Sequence, residues 1–536
     1  MKNNMLILKF MIMFVLIGIS NSTQNEYELW KKAELLNHQK NKDEALEIYL
    51  NLFKKNQTNY ESLKKIKEIL IEKQNYTLLI DCYNQYLNNN SLNKKNMFEA
   101  EVELLEIKLW NQDIQWLSDL YMLEEKYTND KNKKNKFEFI LHQLFKNKKI
   151  DEGYNFVLFI REKHKFPSFF SRKLISIFKQ NKDYKNSINE SIIYLNNHYK
   201  TNSISQKILI EQIFDLTQKI LLESSIDKNH LPISYKQLSS NKFLNLKYDN
   251  QYNPTTVEYI QNIYNTLIEY NLESEIAKIK LAEIQYKIFS DLDSAYKILD
   301  QLQIESSKID IKIQTVLMKS DILISKGYLD SALKLISNKK NIIEKYYKKE
   351  KAEQVKLKNI EILFYKGNYA QTILEVDSLI NNFELKNNDY NDLLELKMIT
   401  LFFDSDIEQF KKYSLIQHKL KMNKSFESML ELIDLVNSEN ILISELAQFQ
   451  YALIEFQKEN FSNVQQIISD MNTKTVYYEI ALILNAEIED YINKNYKNAI
   501  KLYEKIIEKY PDSIYKENIL KRLNELNKIM LKEFDL

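Results

Sequence analysis

At 536 residues the chain exceeds one ordinary domain, so it is either several domains or one long array. It holds 4 glycines and 4 prolines, against about 37 and 27 at average usage, which excludes folds that need glycine at hairpin turns, phosphate loops and strand-to-helix corners. Lys+Arg is 75 against Asp+Glu at 74, a net charge of +1 that leaves no electrostatic footprint for nucleic acid, and only Arg161, Arg172 and Arg522 supply the forked donor that reads phosphates.

In chain order, the first 22 residues come first. Lys2 and Lys9 precede an apolar run from Phe10 to Ile19, followed by Ser20-Asn21-Ser22. That is a basic region, a short apolar core and small residues before a cut after Ser22, the pattern of a signal peptide. A membrane anchor needs about 20 apolar residues, more than this stretch has. No cysteine follows the cut, which excludes a lipid anchor there, and no later run is apolar enough to span a bilayer. The expected compartment is exported, either periplasmic or secreted, in a bacterial envelope. The near absence of cysteine favours that route over a disulfide-forming secretory one.

Residues 26–57 hold the first recurring unit. Leu29, Ala33 and Leu36 lie at helical spacing, a polar turn runs from Asn37 to Asp43, and Ala45, Ile48, Tyr49, Leu52 and Phe53 form a second apolar stripe. The pattern returns 34 residues later, with Ala45 mapping to Leu79, Tyr49 to Tyr83 and Leu36 to Leu70. Cys82 is the only cysteine, and its place on the second stripe predicts a buried, inert thiol.

Farther on, Trp110 and Trp116 read as packing residues rather than groove anchors. The lysines from Lys131 to Lys136 and Lys146 to Lys149 read as solvated helix ends, as do those from Lys339 to Lys351. Gly153 and Ser187 take the small-residue slot of a second pair, again 34 apart, and Pro167 ends a helix at Lys165-Phe166-Pro167-Ser168. Residues 223–256 interrupt the pattern and carry two of the four prolines, Pro232 and Pro254. They read as a linker or irregular loop, the alternative being an irregular helical repeat kinked at proline, with Thr255 or Thr256 capping the next helix near Val257. The expected organisation is therefore a signal peptide at 1–22, an N-terminal array at 23–222, the linker at 223–256 and a C-terminal array at 257–536.

Beyond the linker the slot falls at Ala295, Ala332, Thr372, Phe410, Val464 and Ala499, and the long last interval but one predicts an extra element around 425–440. The period, the hairpin and the residue classes resemble a tetratricopeptide repeat array. Ala499, Tyr503 and Pro511 stand where that family places its packed small residue, its aromatic and its helix-ending proline, and Gly327 and Gly367 stand as its hairpin glycine. Two departures are visible: Pro511 is the only inter-repeat proline, and the interval from Ala486 to Ala499 is one residue too long. The resemblance implies an all-α fold, a right-handed α-α superhelix (solenoid) of helical hairpins. At about 36 residues per hairpin, the chain after Ser22 holds roughly fourteen units. One hairpin cannot bury its apolar face alone, so neighbours must stack.

No phosphate loop, metalloprotease helix or nucleophile elbow occurs, and the six histidines are scattered. The expectation is no enzyme, with no catalytic, cofactor-binding or metal-binding residue, no cofactor, and partner-binding residues unassigned. A non-catalytic scaffold that holds a segment of a protein partner in a superhelical groove fits best. It would bind no nucleic acid, have no transmembrane segment after cleavage, and associate peripherally with envelope complexes. The alternatives are a helical platform for an envelope enzyme resembling lytic transglycosylases and a self-assembling structural protein. Against the first, Glu-Ser pairs occur at Glu61, Glu190, Glu223, Glu273 and Glu427, but the Gly-Leu-Met-Gln that follows such a pair in those enzymes does not.

Overall fold

The computed structural model describes residues 25–89, 94–198, 204–224, 252–346, 349–381, 389–471 and 476–534. Every regular element among them is a helix, so the fold is all-α. The expected signal peptide and most of the expected linker, 225–251, lie outside the described residues. The chain divides into two compact units, Met1–His198 and Tyr199–Leu536, so residues 204–224 group with the second unit.

In the first unit the helices are α1 (25–38), α2 (Lys42–Lys55), α3 (Tyr60–Glu72), α4 (Tyr76–Leu87) and α5 (Lys94–Trp110). They continue as α6 (Trp116–Tyr127), α7 (Lys133–Lys146), α8 (Ile150–His164), α9 (Ser171–Gln180) and α10 (Tyr184–Asn197). The second unit opens with α11 (Ile204–Ser224), α12 (Pro254–Glu269), α13 (Ser274–Lys287), α14 (Leu292–Glu305), α15 (Ile309–Ser325) and α16 (Leu329–Tyr346). Then follow α17 (Lys349–Tyr365), α18 (Tyr369–Ile380), α19 (Asp389–Phe402), α20 (Ile407–Lys421), α21 (Ser425–Val436) and α22 (Ile441–Gln457). The last are α23 (Phe461–Ser469), α24 (Val476–Glu487, continued by a π-turn Ile488–Ile492), α25 (Tyr496–Lys509) and α26 (Lys516–Phe534). Asn253 caps α12 by accepting from the Thr255 N–H, with Pro254 in the first turn. The cap is thus Asn253 rather than Thr255 or Thr256, because proline's missing N–H and fixed φ suit the first helical position.

The turn inside each hairpin explains how a chain with so little glycine makes this fold. At the end of α1 the Lys40 N–H donates to the Asn37 carbonyl and the Asn41 N–H to Leu36, and Lys40 sits at φ 63°. This left-handed closure satisfies the orphan carbonyls at a helix C-terminus. It shortens the expected turn of Asn37 to Asp43 to residues 39–41. A left-handed residue recurs at Gln74, Gln112, Lys148, Lys182, Ser290, Gly327, Gly367, Asn423, Glu459 and Lys494. Only two of these are glycine, and each other one carries a Cβ penalty of about 1–2 kcal/mol. The closure of the turn and the packing of its two helices offset that cost.

Five residues beyond each turn residue except Gln112, on the second helix of the hairpin, lies the small-residue slot. Ala45, Leu79, Ser187, Ala295, Ala332, Thr372, Val464 and Ala499 are all fully buried there. At Gly153 a Cβ would lie 2.9 Å from Phe145 Cζ, so the ring on α7 already fills that slot. Four residues on, Tyr49, Tyr83 and Tyr503 are buried with their hydroxyls satisfied, donating to Glu34 (2.6 Å), Glu103 (2.6 Å) and Asp490 (3.3 Å). Fully burying such a ring contributes about 1.5–3 kcal/mol, and an unpaired phenol would erase most of it.

Phe410 departs from this register. It is buried, but no left-handed residue precedes it, and α20 packs against α17 and α15 as the first helix of a hairpin does. The His418 Nε2 atom meets the Ile324 carbonyl at 2.9 Å, and a Cβ on Gly367 would lie 3.0 Å from the Lys411 Cα. The slot of this hairpin is Ser428 on α21, fully buried, five residues after Asn423. A helix does occupy the expected 425–440 region, but it is the regular second helix, and the inserted one is α19.

The extra residue between Ala486 and Ala499 also has a structural account. The π-turn Ile488–Ile492 absorbs it and carries Asp490 into the core, 1% exposed. There Arg522 of α26 grips it with two bonds of 2.8 Å, from Nε and Nη2.

Candidate functional site

First helices of successive hairpins lie side by side in the second unit, α13 against α15, α15 against α17 and α17 against α20. Such a helix packs on its hairpin partner and on its neighbours, so its apolar residues spread over more than one stripe. On α13, Ala277, Ile279, Ala282 and Ile284 are all buried. Between α13 and α15 this row leaves a cavity of about 820 Å³. Its apolar lining comes from Ile276, Ile279, Ile311, Leu317 and Met318, and its polar lining includes Lys280, Glu283, Lys287 and Asp321. The size and the mix of a mainly apolar wall with a few fixed polar groups match those of binding clefts.

Most of the charges at this site are paired. Glu283 accepts from Lys287 at 2.6 Å and from Lys280 at 3.1 Å. Burial alone would raise its carboxyl, but the two ammonium groups outweigh burial and hold it below the ordinary carboxylate value. Beside it, the Tyr286 hydroxyl and Ser325 Oγ bond at 3.1 Å.

Asp321 continues the ladder by accepting from Lys358 of α17, which also bonds Glu361. Lys421 of α20 approaches the same carboxylate at 3.3 Å, and the Tyr365 hydroxyl donates to it at 3.3 Å. Burial opposes the Glu361 charge, yet Lys358 and Lys421 prevail and the carboxyl is pushed down to about 2. His418 stacks on Tyr365 at 5.5 Å, and burial lowers its pKa, so it stays neutral near pH 7. A carboxylate held between two ammonium groups is a poor general base. From Asp321 to Lys421 this ladder joins three first helices, α15, α17 and α20, and of its members Asp321 lines the groove while the others lie behind it.

The residues singled out in the sequence fall mainly into structural roles. Cys82 is buried, and its thiol is pushed up to about 11, first by burial and then by Asp81. The Trp110 indole donates to Asn147 at 2.7 Å, and Trp116 packs on the core under Lys149. Of the Glu-Ser pairs, Glu190 is buried against Arg161 while the Ser191 hydroxyl donates to the Ser187 carbonyl. Glu61 pairs with Lys64, and Glu273 with Lys308. Among the described residues no group of three His, Cys, Asp or Glu side chains could hold a metal ion, and no helix is long and apolar enough to cross a membrane.

The groove and its ladder are what the sequence did not mark. Their one trace is charge set inside an apolar run, as in Val355-Lys356-Leu357-Lys358-Asn359-Ile360-Glu361-Ile362.

Comparison with known proteins agrees with the hairpin geometry at the C-terminal end. Residues 475–513, which cover α24, the π-turn and α25, match the tetratricopeptide repeat family. No curated protein matches the chain. Among solved structures, the yeast Tom70 is similar at 12% identity, over 95% of this chain and 96% of that one, with a TM-score of 0.21. The Cut9–Hcn1 hetero-tetramer of APC/C gives 12% identity, 93% and 96% coverage and a TM-score of 0.22. The human IFIT1 dimer with m7Gppp-AAAA gives 12%, 81% and 82% coverage and a TM-score of 0.20.

Proposed function

We propose that this chain is an exported, non-catalytic scaffold of a bacterial envelope that holds a segment of a protein partner in the groove between α13 and α15. The observation that carries this reading is the cleft of about 820 Å³, built from stacked first helices, with an apolar wall and a rim on which Lys280 and Lys287 are already paired with Glu283. Such a wall suits an extended or helical segment offering two or three apolar side chains, while paired rim charges set its register. The export reading rests on the residues before Thr23, and peripheral association with envelope complexes would follow from it.

A photoreactive amino acid at Gln314, beside Leu317 and Met318, tests the groove in the producing cell. One protein partner should cross-link, and Met318→Glu should abolish the adduct while the chain stays folded. No adduct, or one that Met318→Glu leaves intact, would remove the groove from the function. Amino-terminal sequencing of the cell-derived protein should begin at Thr23, and a start at Met1 would refute cleavage. Turnover of peptidoglycan that survives repurification and is lost on changing one acidic residue would overturn the non-catalytic reading.

A further inference from the structure

In the first unit a separate cavity of about 590 Å³ opens where α7, the loop 165–170 and the start of α9 meet. The chain uses arginine three times, and two of the three are here. Arg161, 8% exposed, lies beneath the loop and bonds Glu190 at 2.9 and 2.7 Å. Its Nε and Nη2 also hold the Phe169 carbonyl at 3.0 and 2.8 Å, and Nη2 reaches Ser171 Oγ at 2.8 Å. Arg522 grips Asp490 in the same two-pronged way.

Arg172 differs from both. It lines the cavity with its guanidinium 4.9 Å from the Tyr194 ring and forms no ion pair among the described residues. Lys134, Lys165 and Lys173 line the same cavity and likewise have no ion pair among the described residues, while Glu138 is the single carboxylate of the lining. Lysines elsewhere in this chain are commonly paired, as the ladder behind the groove shows.

The loop between these cations is a built structure. Lys165 and Phe170 both sit in left-handed conformations, at φ 56° and 64°, which a bulky phenylalanine rarely adopts. The buried Arg161 fixes them by holding the carbonyl between. Phe170 leaves α9 with no side-chain cap, so the first turn of that helix adds its positive end to the cavity it lines.

We propose that this cavity binds the acidic side chains of an extended segment of a partner protein. Arg172 takes one carboxylate through both arms of its guanidinium, and the three lysines neutralise its neighbours. Phe166 and Tyr194 cover an apolar residue between them. The buried rings of Phe169 and Phe170 lie in a recess that a flat anionic membrane would not fill, and four cations around one cavity do not make the long track a polyphosphate backbone needs. The site is independent of the groove in the second unit.

The test uses the full chain and a short fluorescein-labelled peptide of alternating Glu and Leu, followed by fluorescence anisotropy. The peptide should bind, and Arg172→Gln should weaken it roughly tenfold, with Arg172→Lys in between because lysine offers one point of contact. Raising the salt from about 0.05 M to about 0.5 M should weaken binding further. Met318→Glu in the groove should leave it unchanged, which separates failure here from failure of the groove. Arg172 is exposed, and an unchanged circular-dichroism spectrum shows the variant folded. The proposal is overturned by no binding, by equal binding of a Gln-Leu peptide, or by indifference to Arg172→Gln. Tighter Arg172-dependent binding of phosphatidylglycerol vesicles or of single-stranded DNA would overturn it as well.

Discussion

Arg161→Met would remove the most heavily committed side chain of the first unit. The guanidinium makes five hydrogen bonds, two to Glu190, two to the Phe169 carbonyl and one to Ser171. Its loss leaves Glu190, which has no exposed surface, as an uncompensated charge, and breaking a buried pair from one side costs about 3–5 kcal/mol. The Phe169 carbonyl loses its donor too, worth about 1–3 kcal/mol if nothing replaces it, although the two terms are not additive. Methionine retains most of the apolar stem, so about 4 kcal/mol is expected, a large part of the 5–15 kcal/mol that stabilises a typical domain.

Urea unfolding followed by circular dichroism would read this as a fall in the midpoint of the first transition at constant slope. Trypsin should also cut faster at Lys165, since the strained loop loses its anchor. The double variant Arg161→Met, Glu190→Leu should recover most of the loss, because an apolar pair replaces both charges. A single-variant loss below about 1 kcal/mol, or a double variant no better than the single, would refute the claim that this pair clamps the loop.

The left-handed turns make a second set of expectations. Lys148→Gly and Lys182→Gly should each raise stability by about 0.5–1 kcal/mol in thermal melts, and a loss at both would contradict the strain assigned there. Gly367→Ala should act in the opposite sense, by about 1–3 kcal/mol, since φ is +67° and the new Cβ would press on Lys411; a neutral result would disprove the close approach of α20. Cys82 should resist a thiol reagent in the native state and react once urea is added, and native reactivity at neutral pH would contradict its burial. Acid should destabilise the second unit through Glu361. Its folded pKa lies below the ordinary 4.5, so its contribution is complete above about pH 4.5 and is lost as the pH falls toward 2. Melting temperature against pH should flatten over that window in Glu361→Gln, and an unchanged slope would remove the ladder from the acid response.

The sequence by itself determined the helical class, the hairpin and most of its register, because these depend on local spacing. Scarcity of glycine, apolar stripes at helical period and a small residue recurring after a polar turn are all written within some forty residues. They placed Ala45, Leu79, Ala295, Ala332, Thr372, Val464 and Ala499 on buried positions and set Gly327 and Gly367 in turns. The interval from Ala486 to Ala499 also announced its extra residue, although only the structure shows a π-turn carrying Asp490 to Arg522.

Tertiary structure alone decided which helix stands beside which. Phe410 has the burial of a slot residue, yet α20 is a first helix because α19 is inserted ahead of it, and the choice depends on contacts with Ile324, Tyr365 and Gly367 far back in the chain. The groove between α13 and α15 arises the same way, since its two walls lie on different hairpins and neither is distinctive alone. The ladder of Asp321, Lys358, Glu361 and Lys421 spans three hairpins, and the cavity at Arg172 joins α7 to a loop whose shape a buried arginine sets from below. A one-dimensional pattern records which face of a helix is apolar; the partners of that face, and the charges brought together across it, are set only when the hairpins stack.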